Sequence, residues 1–153
     1  MDELTRLALA AAEGDHVAAR RFVRDTQPKV WELCSFLGSG DDTEDLVQDT
    51  YVRALRALPT YRAEAPVLQW LLAIARRVCA DEVRRRSRAR RRVFRVATLA
   101  APRAVPESGS GIDLDELVRG LDPDRRAAFV LTQLVGLTYD EAATVCHCAV
   151  GTI

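Results

Sequence analysis

Apolar positions recur along the chain at the three- and four-residue spacing that gathers them on one face of an α-helix. Leu4, Leu7, Ala8 and Ala11 mark a first helix from Asp2 to Glu13, and Gly14-Asp15 ends it and caps the next. The second stretch runs from about His16 to Leu37, with Val17, Phe22, Val23, Val30, Trp31, Leu33, Cys34 and Leu37 as its apolar residues. Pro28 is expected to break or kink it, because proline removes an intrahelical donor and crowds the preceding turn. After the turn Gly38-Ser39-Gly40-Asp41-Asp42, a third helix opens with Asp42 or Thr43 as N-cap and the acids Glu44 and Asp45 in its first turn. Leu46, Val47, Thr50, Tyr51, Ala54 and Leu55 form its expected buried side, and Pro59 stops it. Beyond a loop from Thr60 to Pro66, a fourth helix from about Val67 to Arg86 turns Leu68, Leu71, Leu72, Ala75, Cys79 and Val83 inward, then dissolves into an arginine run.

The stretch from Ala97 to Gly111 holds two prolines, two serines and two glycines, which is linker chemistry. Shorter helical signals follow. Asp113 to Arg119 ends at Gly120; Asp122-Pro123 puts a capping residue before a proline at the first helical position, and that helix runs to Leu134. Thr138 and Glu141 form a capping-box pattern for a helix ending near Val145, and a turn leads to Val150-Gly151-Thr152-Ile153. Helix, tight turn and the beginning of another helix make a helix-turn-helix signature. The expectation is an all-α protein of two small helical domains, residues 1–96 and 112–153, joined by a flexible linker over 97–111.

Composition agrees with helices packed on helices: 153 residues, 48% hydrophobic and only 6% aromatic. No apolar run approaches the ~18–20 residues of a membrane span. The N-terminus lacks a basic segment ahead of an apolar stretch, so no secretory signal is read and a cytoplasmic location is expected. Charge changes the picture more. The net is zero, but residues 51–100 carry 13 basic and 3 acidic groups between two acidic thirds. The middle segment is therefore a candidate polyanion contact.

Cys34 and Cys79 fall on apolar helix positions, where a free thiol behaves as a small hydrophobe. Cys146-His147-Cys148 has the look of a metal motif, but a structural zinc site needs four ligands as spaced pairs. A turn with two half-buried thiols is the preferred reading, and no metal or cofactor is expected. His16 and His147 lie in different domains with no nucleophile partner, and no phosphate-cradling glycine loop is present, which argues against an enzyme.

Two surfaces suit binding instead. Asp45, Gln48, Asp49 and Val52 fall on one face of the third helix; on spacing alone, a solvated acidic face explains them as well. Arg76, Arg77 and Arg84 lie on the outer side of the fourth helix near Trp70 and a loop carrying Tyr61, Arg62 and Glu64. Arginine beside aromatic rings fits a nucleic-acid strand, while a solvated arginine face around a core tryptophan is the plainer alternative.

Specific words in the sequence favour the first reading. Thr43-Glu44-Asp45-Leu46-Val47-Gln48-Asp49-Thr50-Tyr51-Val52-Arg53-Ala54 resembles the core-binding helix of the extracytoplasmic-function (ECF) sigma factors of bacterial RNA polymerase. Gln69-Trp70-Leu71-Leu72-Ala73-Ile74-Ala75-Arg76-Arg77 is similar to that family's next motif. Leu137 to Ala143 followed by Cys148 to Ile153 resembles its C-terminal helix-turn-helix. The resemblance implies that Asp45, Gln48, Asp49 and Val52 dock on the clamp helices of the largest core polymerase subunit. It implies that the loop with Tyr61, Arg62 and Glu64, together with Trp70, holds a base flipped from the non-template strand of the −10 element. Arg76, Arg77, Arg84 and Arg85 would be backbone contacts. The C-terminal domain would meet the polymerase flap and read the −35 element, with only Gly151, Thr152 and Ile153 of the recognition helix's start in place and Gly151 and Thr152 as its contacts, so the chain is expected to be truncated there. Partners so implied are core RNA polymerase, promoter DNA and an anti-sigma protein. The competing functions are a helix-turn-helix regulator of duplex DNA, which leaves the acidic helix unexplained, and a sigma-like module serving mainly to bind an anti-sigma partner.

Overall fold

A computed structural model describes residues 1–96, 111 and 113–153, and every regular element among them is helical. The N-terminal unit contains α1 (Glu3–Ala12), α2 (His16–Leu37), α3 (Thr43–Ala57) and α4 (Val67–Val96), with a 3₁₀ turn at Leu58–Thr60. The C-terminal unit contains α5 (Leu114–Gly120), α6 (Pro123–Phe129), a π turn at Val130–Leu134, α7 (Tyr139–Cys146) and a 3₁₀ turn at Val150–Thr152. The expected linker lies outside the described residues except for Gly111.

Helix starts follow local chemistry. Asp2 and Asp15 accept from backbone N–H groups of α1 and α2, and Asp113 and Asp122 do so for α5 and α6. In α7 the capping box is complete: Glu141 N donates to Thr138 Oγ1 at 3.3 Å and Thr138 N donates to Glu141 Oε2 at 2.8 Å. Asp42 departs from the expected N-cap role, for it makes no capping hydrogen bond to α3. Its buried carboxylate accepts from Ser39 Oγ at 3.2 Å, and its Oδ2 lies 3.1 Å from Arg86 Nη2 without hydrogen-bond alignment.

Pro28 does not break α2, which is continuous over 22 residues. Pro28 sits on the solvent side, while Phe22, Thr26, Val30 and Leu33 continue an uninterrupted buried stripe past it. That packing outweighs the lost hydrogen bond. Likewise α4 does not stop at Arg86 but runs on to Val96, since arginine is a good helix former and Arg85 and Arg86 pair back to Glu82 within 3.0 Å. Leu55 and Val83, expected on buried sides, face outward at 41% and 40% exposed, as do the apolar residues Val17 and Trp31 at 66% and 44%. The buried stripes are narrower than the apolar stripes.

The core is one continuous cluster from Phe22, Leu33, Leu71 and Leu72 in the N-terminal unit to Val118, Leu131 and Val145 in the C-terminal unit. Cys34 and Cys79 are buried within it as free thiols. Helix α2 packs on α5, α6 and the π turn, and α4 packs on α7, so the two units rest against each other.

Candidate functional site

The turn after α2 sets the angle at which α3 leaves. A side chain at Gly38 would put its Cβ 2.4 Å from Leu46 Cδ1 and 2.9 Å from the Cys34 carbonyl oxygen, so only glycine fits. From there α3 buries Leu46, Val47, Thr50, Tyr51 and Ala54 and exposes Asp45, Gln48, Asp49 and Val52 together on its outer side. Leu55 continues that stripe three residues on. The sequence reading missed it as a surface residue because apolar character argued for burial; the unbroken spacing from Asp45 could have revealed it. The result is an exposed face that is acidic at its N-terminal end and apolar at its C-terminal end.

The second surface is built at the start of α4. Thr5 in α1 is buried, and its Oγ1 accepts from Val67 N at 3.1 Å, satisfying one of the unpaired donors at that helix start. This bond, invisible in the sequence, fixes α4 against the loop before it. In the loop, Tyr61 OH donates to the Ala65 carbonyl, and Ala63 adopts the left-handed conformation with φ 55°, costly for a residue with a Cβ. Tyr61 and Trp70 meet with ring centroids 5.2 Å apart at 45°. Burial pushes the Tyr61 phenol above its ordinary range. Trp70 is therefore half-buried against Tyr61 rather than enclosed in the core.

These residues border a cavity of about 350 Å³, with Tyr61, Arg62, Glu64, Trp70 and Arg77 around it. Gln69, Ala73 and Ile74 also line it, and the sequence reading did not single them out. The other nominated arginines lie elsewhere. Arg76 turns to the C-terminal unit, 3.6 Å from Asp124. Arg84 is exposed near Asp81, and Arg85 grips Glu82 with two bonds of 2.9 and 2.7 Å. The paired guanidinium groups of Arg85 and Arg86 hold the Glu82 carboxyl down to about 2. Arg62 and Arg77 thus border an aromatic cavity, an arrangement suited to holding phosphates while a base enters it.

In the C-terminal unit, Gly151 and Thr152 lie in the final 3₁₀ turn. Thr152 borders a second cavity of about 770 Å³ with Phe129, Tyr139, Cys146 and Cys148. His147 ends α7 in the left-handed conformation, φ 52°. Among the described residues no three His, Cys, Asp or Glu side chains gather as metal ligands, Cys146-His147-Cys148 included. No helix among them is long and apolar enough to cross a membrane.

Comparison with known proteins agrees with both units. Residues 22–89 match the Sigma-70 region 2 family and residues 112–153 match Sigma-70, region 4. The ECF RNA polymerase sigma factor SigC of Mycobacterium tuberculosis is 38% identical over 99% of this chain and 84% of its own length. The ECF RNA polymerase sigma-E factor of Escherichia coli is 28% identical over 92% of this chain and 81% of its own. Among solved structures, CnrH in complex with the cytosolic domain of CnrY superposes with a TM-score of 0.74 at 28% identity, covering 99% of this chain and 87% of that one. The sigma factor RpoE in complex with the anti-sigma factor NepR from Bartonella quintana gives 0.71 at 28% identity, over 87% and 85% of the two chains.

Proposed function

This chain belongs to the ECF sigma factors of RNA polymerase, and from that membership we propose how its surfaces divide the task of starting transcription. As an alternative sigma factor it binds core RNA polymerase and directs it to promoter DNA. The outer face of α3, through Asp45, Gln48, Asp49, Val52 and Leu55, is the part that grips the polymerase clamp. The Tyr61–Trp70 cavity receives a base extruded from the non-template strand of the −10 element, with Arg62 and Arg77 at its rim and Arg84 further along α4 for the backbone. Extrusion costs a few kcal/mol of unstacking, which stacking on an aromatic ring at about 1–3 kcal/mol per base can offset. The C-terminal unit, through α7 and the turn at Gly151 and Thr152, faces the −35 element and the polymerase flap. The protein acts without catalytic groups of its own, in the compartment of the polymerase, the cytoplasm.

The observation that carries this reading is the aromatic cavity with arginine at its rim, on the same four-helix unit as an exposed acidic and apolar helix face. The α3 face is fully on the surface, and Tyr61 and Trp70 pack against the core while remaining partly exposed. The deciding experiment is capture of the chain by immobilised core polymerase, followed by run-off transcription. Asp45→Arg with Asp49→Arg should abolish capture while leaving the fold intact, and Trp70→Ala should leave capture unchanged while abolishing promoter opening. Undiminished capture of the double variant refutes the assignment of α3. An anti-sigma partner is a second reading, supported by the likeness to a sigma factor solved with its anti-sigma protein; co-purification of a small protein that excludes core polymerase tests it.

A further inference from the structure

Six polar residues are buried among the described residues: Thr5, Thr26, Asp42, Thr43, Thr50 and Gln69. Five are held from within. Thr26, Thr43 and Thr50 donate to the carbonyls of Phe22, Gly40 and Leu46. Asp42 accepts from Ser39, and Thr5 joins Asp2 to Val67. Gln69, only 8% exposed, has no side-chain hydrogen bond to any described residue. Nor is its amide sealed in packing, as the unpartnered atoms of Asp42 and Arg126 are. It opens on the Tyr61–Trp70 cavity, which Gln69 lines.

The backbone around Gln69 is fixed, because it stands in the first turn of α4, where its N–H donates to the Pro66 carbonyl at 3.0 Å. Ala73, one turn on along the same helix face, also lines the cavity and is too small to cover the amide. Other polar groups of the cavity are already engaged: Thr60 donates to the Ala57 carbonyl, Tyr61 to the Ala65 carbonyl and Thr144 to the Asp140 carbonyl. Arg77 lies 3.0 Å from His147 Nε2 and donates to it. Leaving a buried amide without a partner is costly, and a ligand that supplies both a donor and an acceptor removes that cost.

We infer that Gln69 reads the extruded base and that the base it selects is adenine. The inference rests on the reading of this cavity as the −10 strand site and adds to it the residue that sets base identity. A primary amide presents a donor and an acceptor side by side. Adenine carries its 6-amino donor between two ring acceptors, N1 and N7, so either edge forms a two-bond pair with Gln69. Cytosine has one such edge. Guanine and thymine place a carbonyl where adenine has its amine, and the Glu64 carboxylate at the cavity, an acceptor only, disfavours a carbonyl there. A base without the amine leaves the amide unpaired again, which is what makes a hydrogen-bonding site selective.

The test uses holoenzyme assembled from the full chain and core polymerase. The probe is a fluorescein-labelled single strand of abasic residues carrying one base at its centre, so that only that base can enter the cavity. Anisotropy titrations compare adenine with unsubstituted purine, which lacks the amine, and with cytosine, guanine and thymine. Wild type should bind the adenine strand about tenfold more tightly than the purine strand. Gln69→Leu keeps the bulk and burial without the amide. It should bind both strands alike, while still favouring either over a wholly abasic strand through stacking. Gln69→Glu accepts but no longer donates; it should also lose the adenine preference, and it answers should the leucine variant fail to fold. An adenine-to-purine ratio unchanged in both variants overturns the inference, as does a wild type that shows no preference for adenine; in either case the cavity still takes a base. If wild-type holoenzyme binds no base-bearing strand better than the abasic one, the strand-site reading falls and the role of Gln69 with it.

Discussion

Replacing Val52 and Leu55 together by glutamine leaves the helix propensity of α3 intact and removes the two apolar side chains at the C-terminal end of its outer face. Both are surface residues, 48% and 41% exposed, so the change should alter folding stability by no more than about 0.5 kcal/mol. Against a partner the arithmetic differs. Full burial of a valine or leucine is worth roughly 1.5–3 kcal/mol; a little under half of each side chain remains to be covered, or about 0.7–1.4 kcal/mol apiece. The pair should cost about 1.4–2.8 kcal/mol of binding, a loss on the order of tenfold to a hundredfold. The assay is competition between wild type and variant for limiting core polymerase, with a thermal melt of each free protein as control. If the variant competes within twofold of wild type while melting normally, the apolar end of α3 does not touch the polymerase and the proposed face must be redrawn.

Other outcomes follow from the same geometry. Pro28→Ala should raise stability by about 1–3 kcal/mol, read as a higher melting temperature, because an exposed proline in the middle of α2 withholds a donor from a helix that continues regardless. The Glu82 carboxyl is held down to about 2 from an ordinary 4.5 by Arg85 and Arg86. A depressed carboxyl contributes stability that is complete above 4.5 and lost as pH falls towards 2, so the stability gap between wild type and Glu82→Gln should close over that window. Burial pushes the Tyr51 phenol up to about 12 from an ordinary 10. Its contribution is complete below 10 and lost as pH rises towards 12, so Tyr51→Phe should flatten the alkaline end of the stability profile.

The order and type of the helices were legible in the chain because apolar spacing, caps and glycine stops agree from α1 to α7. Two misreadings concern where a helix stops, one decided by packing and the other by charge pairs along the helix itself. Pro28 reads as a break until the buried stripe from Phe22 to Leu33 is seen to pass it on the other side. Arg84 to Arg92 reads as a dissolving end until Glu82 is seen to brace its first turn. At the candidate site, Tyr61, Arg62, Glu64, Trp70 and Arg77 could be nominated in advance and are brought together. The contacts that position them could not be foreseen. Thr5 reaches Val67 across 62 residues and Arg119 reaches Ser35 across 84, and no periodicity announces a side chain bound for a distant backbone group.

The buried Asp42 carboxylate beside Arg86 has a bearing beyond the turn it steadies. Asp42 sits immediately before α3, whose outer face is proposed to grip the polymerase, and Arg86 follows Arg84 and Arg85 in the arginine run of α4. Charge pulled towards a phosphate at one end is charge withdrawn from the root of the other helix. Such coupling is reciprocal by thermodynamic necessity: the factor by which DNA alters the grip on polymerase equals the factor by which polymerase alters the grip on DNA. Asp42→Asn tests whether this ion pair links the two associations: if it does, the variant changes by the same factor how DNA alters the grip on polymerase and how polymerase alters the grip on DNA.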